Sequence, residues 1–294
     1  MPRTKRIRPQ PQTIGDLLDR ARKLLADVSK APRMDAEILL MHALGVNRSY
    51  LRAWPERALQ DNALARFEQA VGLRQKGHPI AYLIGEREFW SRRFIVTPDV
   101  LIPRPASELL VEQALELLKE HQPAELLDLG TGSGVLAITL AVERPKISVT
   151  AIDHAPEALE IARQNAERIA PNKICFILSN WLEACDPKKP FDLIVSNPPY
   201  ISDQDPHLTQ GDLRFEPRRA LASGKEGLDD LRIIMRDARK YLKPHGSLLL
   251  EHGYRQAPQV AALLQQFGYR AITHAKDLEG HWRCTMARYG TSPT

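Results

Sequence analysis

The chain has 294 residues, of which 43% are hydrophobic and 26% are charged, as is usual for a globular protein with a sizeable core. No apolar stretch approaches the roughly 18–20 residues that cross a bilayer, and the charged start lacks an apolar signal region, so neither a membrane protein nor a secreted one is expected. The net charge of +5 is concentrated early, since residues 1–85 hold 15 Lys and Arg against 8 Asp and Glu, whereas the rest holds 26 against 28.

Basic residues dominate the first segment, residues 1–12, which we interpret as a tail that is either solvated or in contact with an acidic partner. The cysteines are odd in number, far apart and without a C-x-x-C pattern; they are Cys175, Cys185 and Cys284. We therefore expect inert thiols in a reducing cytoplasm and no metal site. A monomer is the default expectation for the oligomeric state.

Apolar residues at helical spacing in residues 13–85 predict a small helical bundle. Thr13 is predicted to cap the first helix, and Gly45 and Gly77 to close the second and the third. The helices are predicted over residues 13–28, 34–44 and 56–76. No residue of the bundle suggests catalysis, so we interpret it as a substrate-docking domain, with a stabilising cap as the alternative.

Short strands over residues 88–90 and 93–96 predict a hairpin after the bundle. The stretch Leu101-Ile102-Pro103-Arg104-Pro105 keeps the backbone extended, so residues 86–105 are predicted to form a linker that contains this hairpin. Ser107 is predicted to cap a helix that runs to about Glu120.

Strands and helices alternate regularly from Glu125 onward, which predicts that residues 106–294 form an α/β catalytic domain with a parallel sheet and helices on both of its faces. The parallel strands are predicted at residues 125–129, 148–152, 174–178, 192–196 and 247–250. The helices are predicted at residues 135–143, 156–169 and 228–242. Residues 269–274 and 281–289 are predicted to form a hairpin at the end of the sheet, which is then mostly parallel and seven-stranded.

Small and polar residues follow three of the predicted strands, at the edge where open α/β sheets bind their ligands. Asp153 follows the second strand and is placed to accept hydrogen bonds from ribose hydroxyls, and Trp181 follows the third and is placed to hold an adenine. A loop after the first strand lets a ligand approach the backbone; it comprises Gly130, Thr131, Gly132, Ser133 and Gly134. Asp128, just before this loop, would repel a pyrophosphate and favour a cation.

Each of these side chains also has a structural alternative, Asp153 as a helix cap and Trp181 as a core residue. The loop lacks the G-x-G-x-x-G spacing of a dinucleotide site. A glycine loop, an acid and an aromatic residue at three successive strand ends therefore indicate S-adenosylmethionine rather than NAD. This cofactor is positively charged near its methionine end, which suits Asp128.

The sequence Asn197-Pro198-Pro199-Tyr200 follows the fourth strand, and its two prolines prevent both strand and helix. The turn presents a carboxamide and a phenol at the same edge of the sheet. Because a carboxamide is neither a nucleophile nor a strong base, it indicates the positioning of another planar nitrogen group. A plain proline-rich turn is the alternative for an isolated match.

With these motifs in place, the chain closely resembles the release factor glutamine methyltransferases (PrmC/HemK), a family of class I S-adenosylmethionine-dependent methyltransferases. The resemblance covers nearly the whole chain and implies a Rossmann-like methyltransferase fold behind a small N-terminal helical domain. Besides the glycine loop and the Asn-Pro-Pro-Tyr turn, the matching stretches are residues 33–40, 79–85, 88–90, 101–105, 214–217 and 250–253. Ala106 and Asn180 depart from the family pattern, since an acid is common at both positions.

The resemblance implies a substrate, the glutamine in the Gly-Gly-Gln loop of peptide chain release factors, which is methylated on its side-chain nitrogen. By position it assigns the glycine loop, Asp153, Trp181 and Asn197 to the cofactor, with S-adenosylhomocysteine as the product. It assigns to the substrate the residues Asn197, Pro198, Pro199 and Tyr200.

For methyl transfer we predict that the Asn197 side-chain oxygen and the Pro198 carbonyl each accept one N–H of the substrate amide, while Tyr200 packs on its plane. Three alternatives stay open: an amino group of DNA (adenine N6 or cytosine N4), a glutamine of a ribosomal protein, and a non-catalytic binding module. A direct DNA substrate is not expected, because the catalytic segment is not basic.

Overall fold

A computed structural model of the chain describes residues 12–290, which form two compact units divided between Gly85 and Glu86. Each unit has its own hydrophobic core. The predicted basic tail lies outside the described residues, except for Gln12. Among residues 12–290, no helix is both long enough and apolar enough to cross a membrane.

The first unit is helical, as predicted, and its helices are α1 (Ile14–Leu24), α2 (Pro32–Leu44), α3 (Arg48–Ala53), α4 (Asp61–Gln75) and α5 (Ile80–Ile84). Thr13 caps α1 as predicted, because its side chain accepts from the Asp16 N–H while the Asp16 carboxylate accepts from the Thr13 N–H, both at 3.2 Å. Gly45 ends α2 with a φ of +67°, a conformation that glycine adopts without strain.

The first unit differs from prediction at its short helices. The sequence does not predict α3 and α5, because helices of six and five residues span too few turns to show an apolar period. The expected third helix begins at Asp61 rather than near residue 56. The residues before Asp61 bond to the start of the unit instead, where the Ile14 N–H donates to the Arg57 carbonyl at 2.9 Å.

The second unit begins with the predicted antiparallel hairpin, formed by β1 (Glu86–Phe89) and β2 (Arg92–Ile95). Asn165 holds β2, since its Oδ1 accepts from the Ile95 N–H at 2.7 Å and its Nδ2 donates to the Ile95 carbonyl at 3.0 Å. The same Nδ2 donates to the Ser133 carbonyl at 2.9 Å. One fully buried carboxamide therefore ties the hairpin to the glycine loop.

A seven-stranded sheet in the order β5-β4-β3-β6-β7-β9-β8 fills the second unit, within the residues described. Its strands are β3 (Glu125–Leu129), β4 (Ser148–Asp153), β5 (Ile174–Leu178), β6 (Phe191–Ser196), β7 (Leu242–Glu251), β8 (Tyr269–Lys276) and β9 (Trp282–Tyr289). Neighbours among β3 to β7 pair in parallel, and β9 pairs antiparallel with both β7 and β8. The predicted mostly parallel sheet with a closing hairpin is confirmed.

Five α-helices accompany this sheet within residues 86–290: α6 (Glu108–Leu117), α7 (Val135–Glu143), α8 (Pro156–Ile169), α9 (Asp229–Ala238) and α10 (Ala257–Gln266). The sequence does not predict α10. Side chains of β3 alternate between two core clusters, with Leu126 in one and Leu127 and Leu129 in the other. Asp128 thus lies at a position where the alternation calls for an apolar side chain.

The parallel register brings the ends of distant strands together. Leu129 at the end of β3 pairs with Ile152 of β4 on one side and with Ser196 of β6 on the other. Ser196 pairs in turn with Leu250 of β7. The residues that follow these strand ends therefore emerge along one edge of the sheet.

Asn165→Ala should destabilise the protein, because it removes three hydrogen bonds made by a fully buried side chain to the part-buried backbone of Ile95 and to the buried Ser133 carbonyl. Each backbone group that loses its partner costs about 1–3 kcal/mol, so we expect the free energy of unfolding to fall by about 2–4 kcal/mol in urea titrations followed by circular dichroism. The neighbouring surface variant Gln164→Ala should change it by less than about 0.5 kcal/mol. Equal losses in the two variants would contradict the role given to Asn165.

Candidate active site

A cavity of about 360 Å³ lies at the carboxyl edge of β3, β4, β5 and β6. Its volume is within the range of small-molecule sites, about 300–1,000 Å³. The cavity brings together most of the predicted site residues, namely Gly130, Thr131, Gly132, Ser133, Asp153, Trp181, Asn197 and Pro199. Gly134, Pro198 and Tyr200 do not line it.

Two glycines of the loop allow other groups to lie close to its backbone, Gly130 on the side of Trp181 and Gly134 on the side of α7 and α8. Gly130 has a φ of +71°, and a Cβ added there would meet the Trp181 ring at 3.4 Å, so the ring lies close against the loop backbone. Gly134 has a φ of +83°, and a Cβ there would lie 2.8 Å from Ile138 and 3.2 Å from Ala162. Gly134 therefore allows α7 and α8 to pack closely, and its part in the site is indirect.

Asp128 lies beneath the loop and is fully buried. Its Oδ2 accepts from the Thr131 hydroxyl at 2.7 Å and from the Ala137 N–H at 3.2 Å, and its Oδ1 has no partner among the described residues. Burial raises the pKa of Asp128 to about 7, against the effect of these two hydrogen bonds. Because Asp128 does not line the cavity, the structure supports it as a brace of the loop rather than as a direct contact for a positively charged ligand.

Asp153 does not cap α8, because Ala155 holds the N-cap position and no side chain makes a capping bond there, so the helix-cap alternative is wrong. The Asp153 Oδ2 accepts from the Gly132 N–H at 2.9 Å, and its Oδ1 accepts from the Ala155 N–H at 3.0 Å, just before α8. A carboxylate has about four acceptor positions, so two remain for ligand hydroxyls. Asp153 is therefore a structural brace that also faces the cavity.

Trp181 is fixed in a left-handed backbone conformation, with a φ of +48°, at the end of β5. Its Nε1 donates to Asp230 Oδ1 at 3.2 Å, and Asp230 of α9 also lines the cavity. Sequence reasoning misses Asp230, because no local pattern links it to the strand ends. Asn180 lines the cavity as well and donates through Nδ2 to Glu183 at 2.7 Å, whereas Ala106 does not line it.

The Asn-Pro-Pro-Tyr turn separates this cavity from a smaller one of about 70 Å³. Asn197 lines both cavities, Pro199 lines only the larger and Tyr200 only the smaller. Pro198 is buried and lines neither cavity. The Asn197 carboxamide thus lies where a ligand in one cavity would meet a ligand in the other.

Side chains from outside the turn hold it in place. The Asn197 Nδ2 donates to Ser107 Oγ at 3.0 Å, and the Tyr200 hydroxyl donates to Glu251 Oε1 at 3.0 Å. Ser107 lies at the start of α6, but its hydroxyl makes no capping bond, so the predicted cap is wrong. The hydroxyl donates instead to Glu251 Oε2 at 2.7 Å.

The proline-rich stretch before α6 is held across the same site. The buried Glu216 accepts from the Ile102 N–H at 3.0 Å and forms an ion pair with Arg104. Arg104 lines both cavities. This contact explains why two of the stretches noted in the sequence, residues 101–105 and 214–217, belong to one site.

S-adenosylmethionine fits the larger cavity on the evidence of its lining. The loop offers backbone without bulky side chains, Asp153 has acceptor positions for ribose hydroxyls, and the Trp181 ring offers a flat face. The carboxylate of Asp153 lines the cavity next to the loop and disfavours a pyrophosphate, which argues against a dinucleotide.

Comparisons with known proteins point to one family. The chain matches the PrmC N-terminal domain over residues 16–85 and the methyltransferase small domain over residues 104–226. A release factor glutamine methyltransferase of Shewanella oneidensis is 46% identical over 276 residues, which are 94% of this chain and 96% of that protein. The release factor glutamine methyltransferase of Escherichia coli is 44% identical over 261 residues, which are 89% of this chain and 94% of that protein.

Solved structures support the fold. A methyltransferase from Pyrococcus furiosus aligns with a TM-score of 0.52 at 18% identity and covers 79% of this chain and 100% of that one. The rRNA methyltransferase RsmC of T. thermophilus, solved with AdoMet and guanosine, aligns with a TM-score of 0.51 at 22% identity and covers 69% of this chain and 49% of that one. These likenesses confirm the predicted methyltransferase fold.

The raised pKa of Asp128 predicts that stability falls as the pH rises. An unfolded Asp has a pKa of about 3.9 and has lost its proton by about pH 5, whereas the folded chain keeps the Asp128 proton up to about pH 7, so stability falls between about pH 4 and 7. Asp128→Asn removes this titration, so its free energy of unfolding relative to the parent should rise by about 2 kcal/mol from pH 5 to 7 and then level off. Parallel curves in urea titrations of the ligand-free proteins would contradict the assignment.

Proposed function

Because the chain belongs to the release factor glutamine methyltransferase family, we propose that it methylates the side-chain amide nitrogen (N5) of the glutamine in the Gly-Gly-Gln motif of peptide chain release factors. S-adenosylmethionine is the methyl donor and S-adenosylhomocysteine the product. The observation that carries this proposal is the Asn197 carboxamide at the junction of two cavities, one sized for the cofactor and one for a side chain.

The larger cavity would hold the cofactor. The backbone of residues 130–134 approaches its methionine part, Asp153 accepts from its ribose hydroxyls, and the Trp181 ring packs against its adenine. S-adenosylmethionine supplies a methyl group on a positively charged sulfur, which becomes a neutral thioether when the group leaves. The protein's task is to orient the acceptor towards that group.

Asn197 and Pro198 would orient the acceptor amide. An amide nitrogen is a poor nucleophile because its lone pair is delocalised into the carbonyl. The Asn197 Oδ1 and the Pro198 carbonyl would each accept one N–H, which aims the nitrogen at the methyl group and stabilises the positive charge that grows on it. The proton leaves after transfer, so no general base is required before it.

Tyr200 would complete the smaller cavity around the glutamine side chain. Its hydroxyl is tied to Glu251, so its ring is held against the space beside Asn197. Burial raises the pKa of Tyr200 above the usual range, which keeps the phenol neutral. A neutral ring in this position excludes water from the acceptor amide.

Release factors are favoured over the other acceptors that share this geometry. The relatives that cover most of the chain are named for release factors, and their match includes the N-terminal helical unit. A DNA amino group and a ribosomal-protein glutamine are not favoured. The expected monomer, the cytoplasmic location and the absence of a metal stay predictions.

We further propose that residues 13–85 dock the body of the release factor, since a three-residue motif is too small to supply all of the specificity. The helical unit is basic and has a core of its own, and residues 16–85 match a domain named for this family. Docking would hold the factor while its loop reaches the smaller cavity.

Asn197→Ala should lower kcat on a purified release factor by about 10²–10³, by analogy with the loss of one preorganised group of an oxyanion hole. The dissociation constant for S-adenosylmethionine, measured by calorimetry, should stay within a few-fold, because Asp153 and Trp181 are unchanged. Asn172→Gly, which removes an exposed carboxamide at a left-handed position, serves as the control and should keep full activity. Turnover of Asn197→Ala within tenfold of the parent would overturn the proposed mechanism.

Removal of residues 1–85 should separate docking from chemistry. We expect KM for whole release factor to rise at least about tenfold, which corresponds to about 1.4 kcal/mol of binding, while KM for a Gly-Gly-Gln loop peptide changes little. Steady-state kinetics on the two substrates provides the measurement. Equal effects on both would refute the docking role.

A further inference from the structure

A hydrogen-bonded chain connects Asn197 to a buried carboxylate. The Asn197 Nδ2 donates to Ser107 Oγ at 3.0 Å, and Ser107 Oγ donates to Glu251 Oε2 at 2.7 Å. The other oxygen of Glu251 accepts from the Tyr200 hydroxyl at 3.0 Å. Ser107 is 2% exposed and Glu251 is 1% exposed, so the hydrogen bond between them is buried, whereas the contacts of Asn197 and Tyr200 are part-buried.

The hydrogen bonds that connect Asn197, Ser107 and Glu251 all run in one direction, from donor to acceptor. Ser107 and Tyr200 each donate their single hydroxyl hydrogen to Glu251, whose two oxygens act as acceptors. Ser107 then has only lone pairs to offer to Asn197. Asn197 must therefore present its NH₂ group to Ser107, and its oxygen is left to face away from it.

The opposite orientation of the Asn197 amide is disfavoured for the same reason. Turned by 180°, the amide would place its oxygen against a Ser107 oxygen whose hydrogen is already donated. Two acceptors would then face each other in a buried site, which costs the hydrogen bond and adds repulsion. The geometry selects one of the two amide orientations without any contact to substrate.

Each oxygen of Glu251 accepts one hydroxyl hydrogen, Oε2 from Ser107 at 2.7 Å and Oε1 from Tyr200 at 3.0 Å. Burial raises the pKa of Glu251, whereas the hydroxyls of Ser107 and Tyr200 and the positive charges of Arg283 and Arg104 oppose that rise. A proton on either carboxylate oxygen would displace one of the two hydroxyl donors. The contacts made by Ser107 and Tyr200 are those of a carboxylate.

We propose that Ser107 and Glu251 are positioning residues, which fix the Asn197 carboxamide with its oxygen towards the acceptor amide. Neither residue touches the reacting atoms; both act through Asn197. Their effect on methyl transfer rests on the proposed function, whereas the orientation of Asn197 does not.

Kinetics in two backgrounds tests whether Ser107 acts through Asn197. Ser107 also lines the larger cavity, so rates are measured at saturating S-adenosylmethionine. Ser107→Ala should then lower kcat about tenfold in the parent, the loss expected for about one hydrogen bond, with little change in KM for release factor. In an Asn197→Ala background the same change should alter kcat by less than about twofold, because the group it positions is gone. Equal fold-losses in both backgrounds would overturn the proposal.

A matched control removes a neighbouring buried hydroxyl that does not belong to the hydrogen bonds between Asn197, Ser107 and Glu251. Ser196 is fully buried beside Asn197, but its Oγ donates to the Leu129 carbonyl at 2.7 Å. Ser196→Ala should leave kcat within about threefold of the parent, although it loses a buried hydrogen bond as well. A loss as large as that of Ser107→Ala would show a general packing effect and refute the specific role.

An NMR measurement tests the orientation independently of substrate. The sequence has six asparagines, so ¹⁵N-asparagine labelling gives six side-chain amide pairs, and Asn197→Ala identifies the one of interest. We expect this pair to be protected from solvent exchange in the parent and in Ser196→Ala, and to lose protection in Ser107→Ala. If the Asn197 amide pair of the parent is unprotected, the positioning role is refuted even when release factor is methylated. If the pair is protected but release factor is not methylated, the proposed function is refuted instead.

Discussion

The parallel alignment of five strands is the constraint on which the site depends. β3 lies in the middle of the parallel strands, and its register sets Leu129 beside Ile152 and Ser196, with Leu250 one strand further. The residues that follow these positions emerge along one edge although more than a hundred residues separate the first from the last. Each functional group lies next to a paired strand end, so the hydrogen bonds of the sheet hold its backbone in place. Side-chain contacts then need to fix only the side-chain torsion angles.

Buried carboxyl groups fix the side-chain orientations at the site. Asp128, Asp153 and Glu251 all lie at or next to strand ends and are at most 7% exposed. Such groups are costly to bury unless neighbours donate to them, and each of the three receives at least two hydrogen bonds. Asp153 and Glu251 accept in all of these contacts, so they fix the direction of the hydrogen bonds that their neighbours make. An apolar core avoids the free-energy cost of burying such groups. At this site the buried acceptors fix which neighbouring groups donate and which accept.

Sequence patterns predict what is local and leave open what is not. The sheet and the glycine loop are visible because buried strands and glycine spacing are continuous in sequence, and the same holds for the Asn-Pro-Pro-Tyr turn. Ser107 was open to local reasoning only as a helix cap, since its actual acceptor, Glu251, is 144 residues away. The pairing of Arg104 with Glu216 is equally remote. Short helices such as α3 and α5 are not predicted, because they contain too few residues to show a helical repeat of apolar side chains.

The Asn-Pro-Pro-Tyr turn alone does not determine what it offers to an acceptor. A carboxamide carries a donor and an acceptor of similar shape, and an acceptor nitrogen with two hydrogens requires the oxygen. The choice between them is made by Ser107 and Glu251, which come from α6 and β7 rather than from the turn. The turn thus supplies chemistry suited to any planar amino group. Within the second unit, the stretch held by Arg104 and Glu216 lines both cavities beside the turn, so it is the neighbouring element through which an acceptor can be selected.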